Sequence, residues 1–224
     1  MKELMRRQIP MLLLRIDEGD VVPKDPALYS GIVLMGGAMS ANDDYPWLQD
    51  EIRLVKSALT ANIPVLGHCL GGQILAKALG ASIVPSPAVE VGFIELTVVS
   101  NRARRWFGEA DRIAFMQWHT ESFELPPNTE LLLSSDNCPN QAFCVDDLHI
   151  GMQFHCEARL AMVEEWMHDS REQVIAFDVP SAHHPDRVIE DARVLLPLAQ
   201  DVARTLYNRW LLGVVGEVRA SFKN

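Results

Sequence analysis

Val65-Leu66-Gly67-His68-Cys69-Leu70-Gly71-Gly72-Gln73 sets a cysteine between glycines at a change of pattern. Residues 63–66 read as a buried strand and 72–79 as a helix, with Gly80 where a C-terminal glycine cap belongs. A nucleophile on such a strand-to-helix elbow has its side chain exposed and backbone N–H groups beside it for a developing oxyanion. A buried cysteine is most often an inert small hydrophobe. Cys69 is set apart because the following helix directs its positive end toward the sulfur, which favours thiolate over thiol.

Eighty-six residues downstream, Gly151-Met152-Gln153-Phe154-His155-Cys156-Glu157 offers what a thiol needs. His155 can accept its proton, and Glu157 can orient the imidazole. In extended chain two positions apart lie on the same side, so both residues are expected to face one site at the end of a strand over 149–154. Gly36-Gly37 follows a strand over 31–35, at a turn where backbone can approach a ligand. The N–H of Gly37 is the expected oxyanion partner to that of Leu70. His119, after a strand over 113–118, either shapes a substrate pocket or caps a turn. His68 points away from the nucleophile at a sharp turn and is read as structural or as lining the pocket.

Working outward, 11–16 and 31–35 are apolar runs that read as buried strands. Leu48, Ile52, Val55 and Leu59 fall at helical spacing after Pro46, which suits a first helical turn. Beyond residue 81 the character shifts to strands over 91–99, 113–118, 130–134, 142–145 and 149–154, interrupted by a helix near 102–107. Such a series predicts partly antiparallel strands appended to a parallel sheet. Helical period returns from 158, with Met162, Val163 and Trp166 on one face, and a longer helix spans 185–212, where Pro197 is a candidate break or kink. Strands alternating with helices predict a three-layer α/β/α sandwich with a mostly parallel central sheet. No linker divides the chain, so residues 1–224 are expected to form a single domain.

The formal net charge of −10 argues against nucleic acid as a general partner, because phosphate binding requires basic surface. No run approaches transmembrane length, and charges interrupt the N-terminus where a secretory signal needs an apolar core, so a cytoplasmic protein without a membrane partner is expected. The four cysteines have no CxxC spacing, which points to reduced thiols. Cys138, Cys144, His183 and His184 match no metal-site spacing, and neither a metal nor another cofactor is expected.

The two motifs resemble those of the class I glutamine amidotransferases, a family with a G-x-C-x-G-x-Q elbow and a Gln-Phe-His-x-Glu strand end. Residues 35–44 and Trp118-His119-Thr120-Glu121-Ser122 are similar to the stand-alone branch that looks like the amidotransferase domain of GMP synthase. The resemblance implies a flavodoxin-like fold and glutaminase chemistry. Cys69 would attack the side-chain amide of glutamine, His155 would protonate departing ammonia, and water would hydrolyse a glutamyl thioester. Glu157 would hold His155, Gln73 would lie near the glutamine pocket, and Gly36, Gly37 and Leu70 would bound the oxyanion site.

Three departures qualify the resemblance. Cys156 stands where the family usually has proline after the histidine, which loosens the His–Glu geometry or leaves it unchanged, and Ala38 replaces the usual proline after the double glycine. The chain also opens in what reads as the tail of the family's first helix. The expectation is therefore a translation start upstream of Met1 or a sheet lacking its first strand. Three functions follow: supply of ammonia to a separate synthetase subunit, free-standing hydrolysis of a γ-glutamyl compound, or a binding relative that has lost turnover.

Overall fold

Seven strands lie in one sheet in the computed structural model, which describes residues 4, 5 and 7–216. In chain order they are β1 (Ile32–Leu34), β2 (Val65–His68), β3 (Ile83–Val98), β4 (Arg112–Phe123), β5 (Glu130–Ser134), β6 (Ala142–Val145) and β7 (His149–Met152). Their spatial order is β1-β2-β7-β6-β5-β3-β4. The pairings β1–β2 and β2–β7 are parallel, and the others are antiparallel. The sheet is thus a parallel end, which carries the elbow, extended by an antiparallel block.

Helices cover both faces. On one side α1 (Pro46–Thr60) and α2 (Leu70–Ala78) bury Leu48, Ile52, Val55 and Ile74 against Val65 and Leu34. On the other, α3 (Ala103–Phe107) and the second half of α6 (Pro185–Val214) bury Trp106, Leu206 and Trp210 against Leu66, Ile150 and Met152. Val65 and Leu66, adjacent in β2, go to opposite faces, so the strand is apolar throughout because both of its sides are covered. A third cluster joins α4 (Leu160–Asp169), α5 (Arg171–Ala176) and the first half of α6 to Val91, Phe93 and Met116 of β3 and β4. The three-layer α/β arrangement expected from the sequence is the fold observed.

Four expectations are corrected. Residues 11–16 form no strand: Met11, Leu12 and Leu13 are 41%, 64% and 61% exposed, and β1 is the edge of the sheet among the described residues. An apolar run becomes a strand only where it gains a ladder partner and a covered face, and this one has neither. The helical tail expected at the N-terminus lies largely outside the described residues. β3 starts at Ile83, eight residues earlier than expected. Pro85 and Pro87 argued against a strand there, yet they lie where the ladder to β4 is irregular, between Pro85 and Glu90, so their missing donors are not called on. Finally, α6 runs unbroken through Pro197. Its buried stripe Val188, Ala192, Leu196, Ala199, Ala203, Leu206 and Trp210 holds the helix to the sheet, and Pro197 is exposed on the opposite side.

Candidate active site

Cys69 is the hinge between β2 and α2, at φ 48° and ψ −109°, a left-handed conformation that a non-glycine residue adopts only when its surroundings impose it. Its N–H donates to the carbonyl of Met152 at 2.8 Å, which ties the elbow to β7. The flanking glycines permit the close approach. A Cβ on Gly71 would lie 2.4 Å from the carbonyl oxygen of Leu34, and one on Gly72 would lie 2.3 Å from that of Met152. The first turn of α2 therefore sits directly on the ends of β1 and β7, and its N–H groups, which lack intrahelical acceptors, surround the sulfur.

His155 and Glu157 reach the elbow by a route other than the one expected. β7 ends at Met152, His155 makes an isolated bridge to Met116, and Glu157 lies in the turn that follows. The turn, not an extended strand, brings Nδ1 of His155 to 2.7 Å from Oε1 of Glu157. Cys156, in the place of a usual proline, leaves that contact short. Gly36 closes the ring from the other side: a Cβ there would fall 2.7 Å from Cε1 of His155 and 3.4 Å from Cβ of Cys69.

Electrostatics follow from the burial of these groups. Burial alone pulls His155 down, but Glu157 and the Cys69 sulfur outweigh it and hold the imidazole well above its ordinary range. Burial alone would raise Glu157, but His68 and His155 bring it down to about 2. The arrangement favours an imidazolium between two negative partners.

All eight residues singled out from the sequence line one cavity of about 450 Å³. The Cys69 sulfur faces the Trp118 carbonyl at 3.7 Å, and Nε2 of Gln153 approaches it at the same distance. Gln73 donates to the carbonyl of Glu121 at 3.2 Å and to Oε1 of Gln153 at 3.3 Å. The loop after β1 is anchored by Lys77, which donates to the carbonyl of Ala41 at 2.7 Å, and by Ser40, which donates to Oε2 of Glu121 at 2.5 Å. His119 stands within β4 rather than after it. Its Nε2 contacts Oε2 of Glu90 at 2.8 Å, while its buried Nδ1 has no hydrogen-bond partner among the described residues.

Several site neighbours were missed from the sequence. Glu90 is fully buried and meets His119, Gln141 and Ser135, partners that no local pattern announces. Trp166, read only as one face of a helix, packs edge-on against His155 with ring centroids 5.1 Å apart and walls the cavity. His68 does not line the cavity; its Nδ1 lies 3.1 Å from Oε2 of Glu157. Two clusters, His68-Cys156-Glu157 and Glu90-His119-Cys138, bring possible ligand atoms together. In both, burial pushes the thiol up, so neither offers a ready thiolate to a metal. No helix among the described residues is long and apolar enough to cross a membrane.

Comparison with known proteins is consistent with this geometry. The family model "Glutamine amidotransferase class-I" matches residues 1–169. The crystal structure of a glutamine amidotransferase from Methylobacillus flagellatus superposes with a TM-score of 0.92 at 36% identity, covering 95% of this chain and 88% of that one. The glutamine amidotransferase-like protein YfeJ of Salmonella typhimurium is 27% identical over 169 residues, 71% of this chain and 70% of YfeJ. GMP synthase (glutamine-hydrolyzing) of Caldanaerobacter subterraneus subsp. tengcongensis is 35% identical over 130 residues, 57% of this chain and 24% of the synthase, so the match spans about a quarter of that protein.

Proposed function

The chain belongs to the class I glutamine amidotransferases, and from that premise we propose that it hydrolyses the side-chain amide of glutamine through Cys69, His155 and Glu157, as one domain over residues 1–224. One observation carries the reading: a strained elbow cysteine shares a cavity with an imidazole that is 2.7 Å from a buried carboxylate.

The Cys69 thiolate attacks the amide carbon, and the oxyanion takes hydrogen bonds from the N–H groups of Leu70, the first residue of α2, and Gly37, which packs against it. His155 gives its proton to the nitrogen as the C–N bond breaks, ammonia leaves, and a glutamyl thioester remains. His155, now neutral, takes a proton from water as it attacks the thioester, and glutamate and the thiolate are released. Gln73 and His119 border the glutamine pocket, where Nδ1 of His119 is available to the substrate. Similarity to a GMP synthase supports a separate synthetase subunit as the consumer of ammonia, in the cytoplasm.

A second reading is favoured by the cavity itself. Its volume of about 450 Å³ and the Trp166 wall beside His155 suit a γ-glutamyl compound with an amine larger than ammonia. Ammonia release from glutamine, measured alone and with candidate synthetases, against cleavage of γ-glutamyl peptides decides between them. Cys69→Ala is expected to abolish both activities; turnover that survives this change would overturn the proposal.

A further inference from the structure

The carboxylate of Glu157 has a second imidazole beside it. Oε1 faces Nδ1 of His155 at 2.7 Å, and Oε2 lies 3.1 Å from Nδ1 of His68, the residue just before Cys69. Oε2 is buried and makes no aligned hydrogen bond among the described residues, so His68 is the side chain that meets it. The His68 side chain is only 1% exposed. Its Nε2 is 3.2 Å from the hydroxyl of Tyr207 on α6, which in turn lies 3.8 Å from the Cys156 sulfur. A tyrosine hydroxyl donating to Nε2 leaves the ring proton on Nδ1, directed toward Oε2. Burial pulls His68 below the ordinary imidazole range, although Glu157 opposes this, and the ring therefore meets the carboxylate as a neutral donor.

We infer that His68, held by Tyr207, is a positioning residue that fixes the Glu157 carboxylate so that its other oxygen keeps His155 aligned on Cys69. This rests on the triad reading above. A carboxylate with one partner can swing about its side-chain torsions, whereas one met at both oxygens cannot. The chain has Cys156 rather than proline between His155 and Glu157, so the stiffness of that turn comes from side chains. Because His68 is bonded to Cys69, the strand that presents the sulfur also holds the carboxylate, and the two halves of the site stay in register.

The test compares full-length wild type with His68→Ala, His68→Asn and Tyr207→Phe. It reads the rate of iodoacetamide alkylation at Cys69 at neutral pH, located by peptide mass, and kcat and KM for glutamine. Burial pushes up the thiols of Cys138, Cys144 and Cys156, which keeps them slow to alkylate. His68→Ala is expected to lose about tenfold in alkylation rate and in kcat with KM little changed, the scale of one hydrogen bond to a charged group. Asparagine places an amide N–H near Nδ1, so His68→Asn is expected to recover to within about threefold of wild type, with Tyr207→Phe between the two. A folded His68→Ala with wild-type alkylation and kcat overturns the inference, as does a loss that asparagine does not rescue. Should His68→Ala fail to fold, unchanged alkylation in Tyr207→Phe overturns it instead. If wild type does not turn over glutamine while Cys69 alkylation still depends on His68, the glutamine reading fails and the positioning role stands.

Discussion

Gly36 has no side chain because His155 occupies that space. A Cβ 2.7 Å from Cε1 must displace the imidazole, since the neighbouring backbone has no comparable freedom. Gly36→Ala is therefore expected to lower kcat at least about tenfold while changing stability by less than about 1 kcal/mol, checked by steady-state kinetics beside thermal unfolding. The charged pair behind it has a pH signature. Glu157, brought down to about 2, contributes stability that is complete above its ordinary value of 4.5 and is lost as pH falls through about 2. His155 is raised, so its contribution is complete below its ordinary value of 6.5 and is lost as pH rises through the folded one. In urea titrations Glu157→Gln is expected to be less stable than wild type by no more than about 3 kcal/mol near neutrality, with the gap closing between pH of about 4.5 and 2. At this scale Cys69, His155 and Glu157 were legible because their motifs are local. Glu90 and Trp166 were not, because their site partners come from distant segments.

Among the elements, α6 departs furthest from its local signals. Proline in a helix interior removes a hydrogen bond and crowds the preceding turn, at a cost of about 3 kcal/mol. Here Pro197 is exposed, and the buried stripe on the opposite side carries the helix past it. Pro197→Ala is expected to stabilise the protein by about 1–3 kcal/mol and to raise Tm by several degrees, as calorimetry would record. The opposite error occurs at 11–16, where an apolar run with strand composition stays irregular and exposed. Both cases have one cause: whether a segment keeps its local preference depends on what lies across from it. The strands of the parallel end and the helices after them were readable because their apolar residues follow the period of the element and both faces are covered.

Across the whole molecule, stability should fall off from the centre of the sheet toward β1. β2 and β7 are paired on both sides and covered on both faces, while β1 is three residues long and paired on one side among the described residues. Native-state hydrogen exchange is expected to place β2 and β7 amides near the global unfolding free energy and β1 amides below it. Equal protection in β1 would mean that its open edge is covered.

The sequence by itself determined the elbow, the nucleophile, its histidine and carboxylate, and the alternation that makes an α/β sandwich, because each is written in residues close together along the chain. Only the tertiary structure decided that Glu157 meets two imidazoles, that Tyr207 reaches His68 across 139 positions, and that 11–16 finds no ladder. Those outcomes depend on which buried polar groups and strand edges are brought face to face, and that is a property of packing between distant segments.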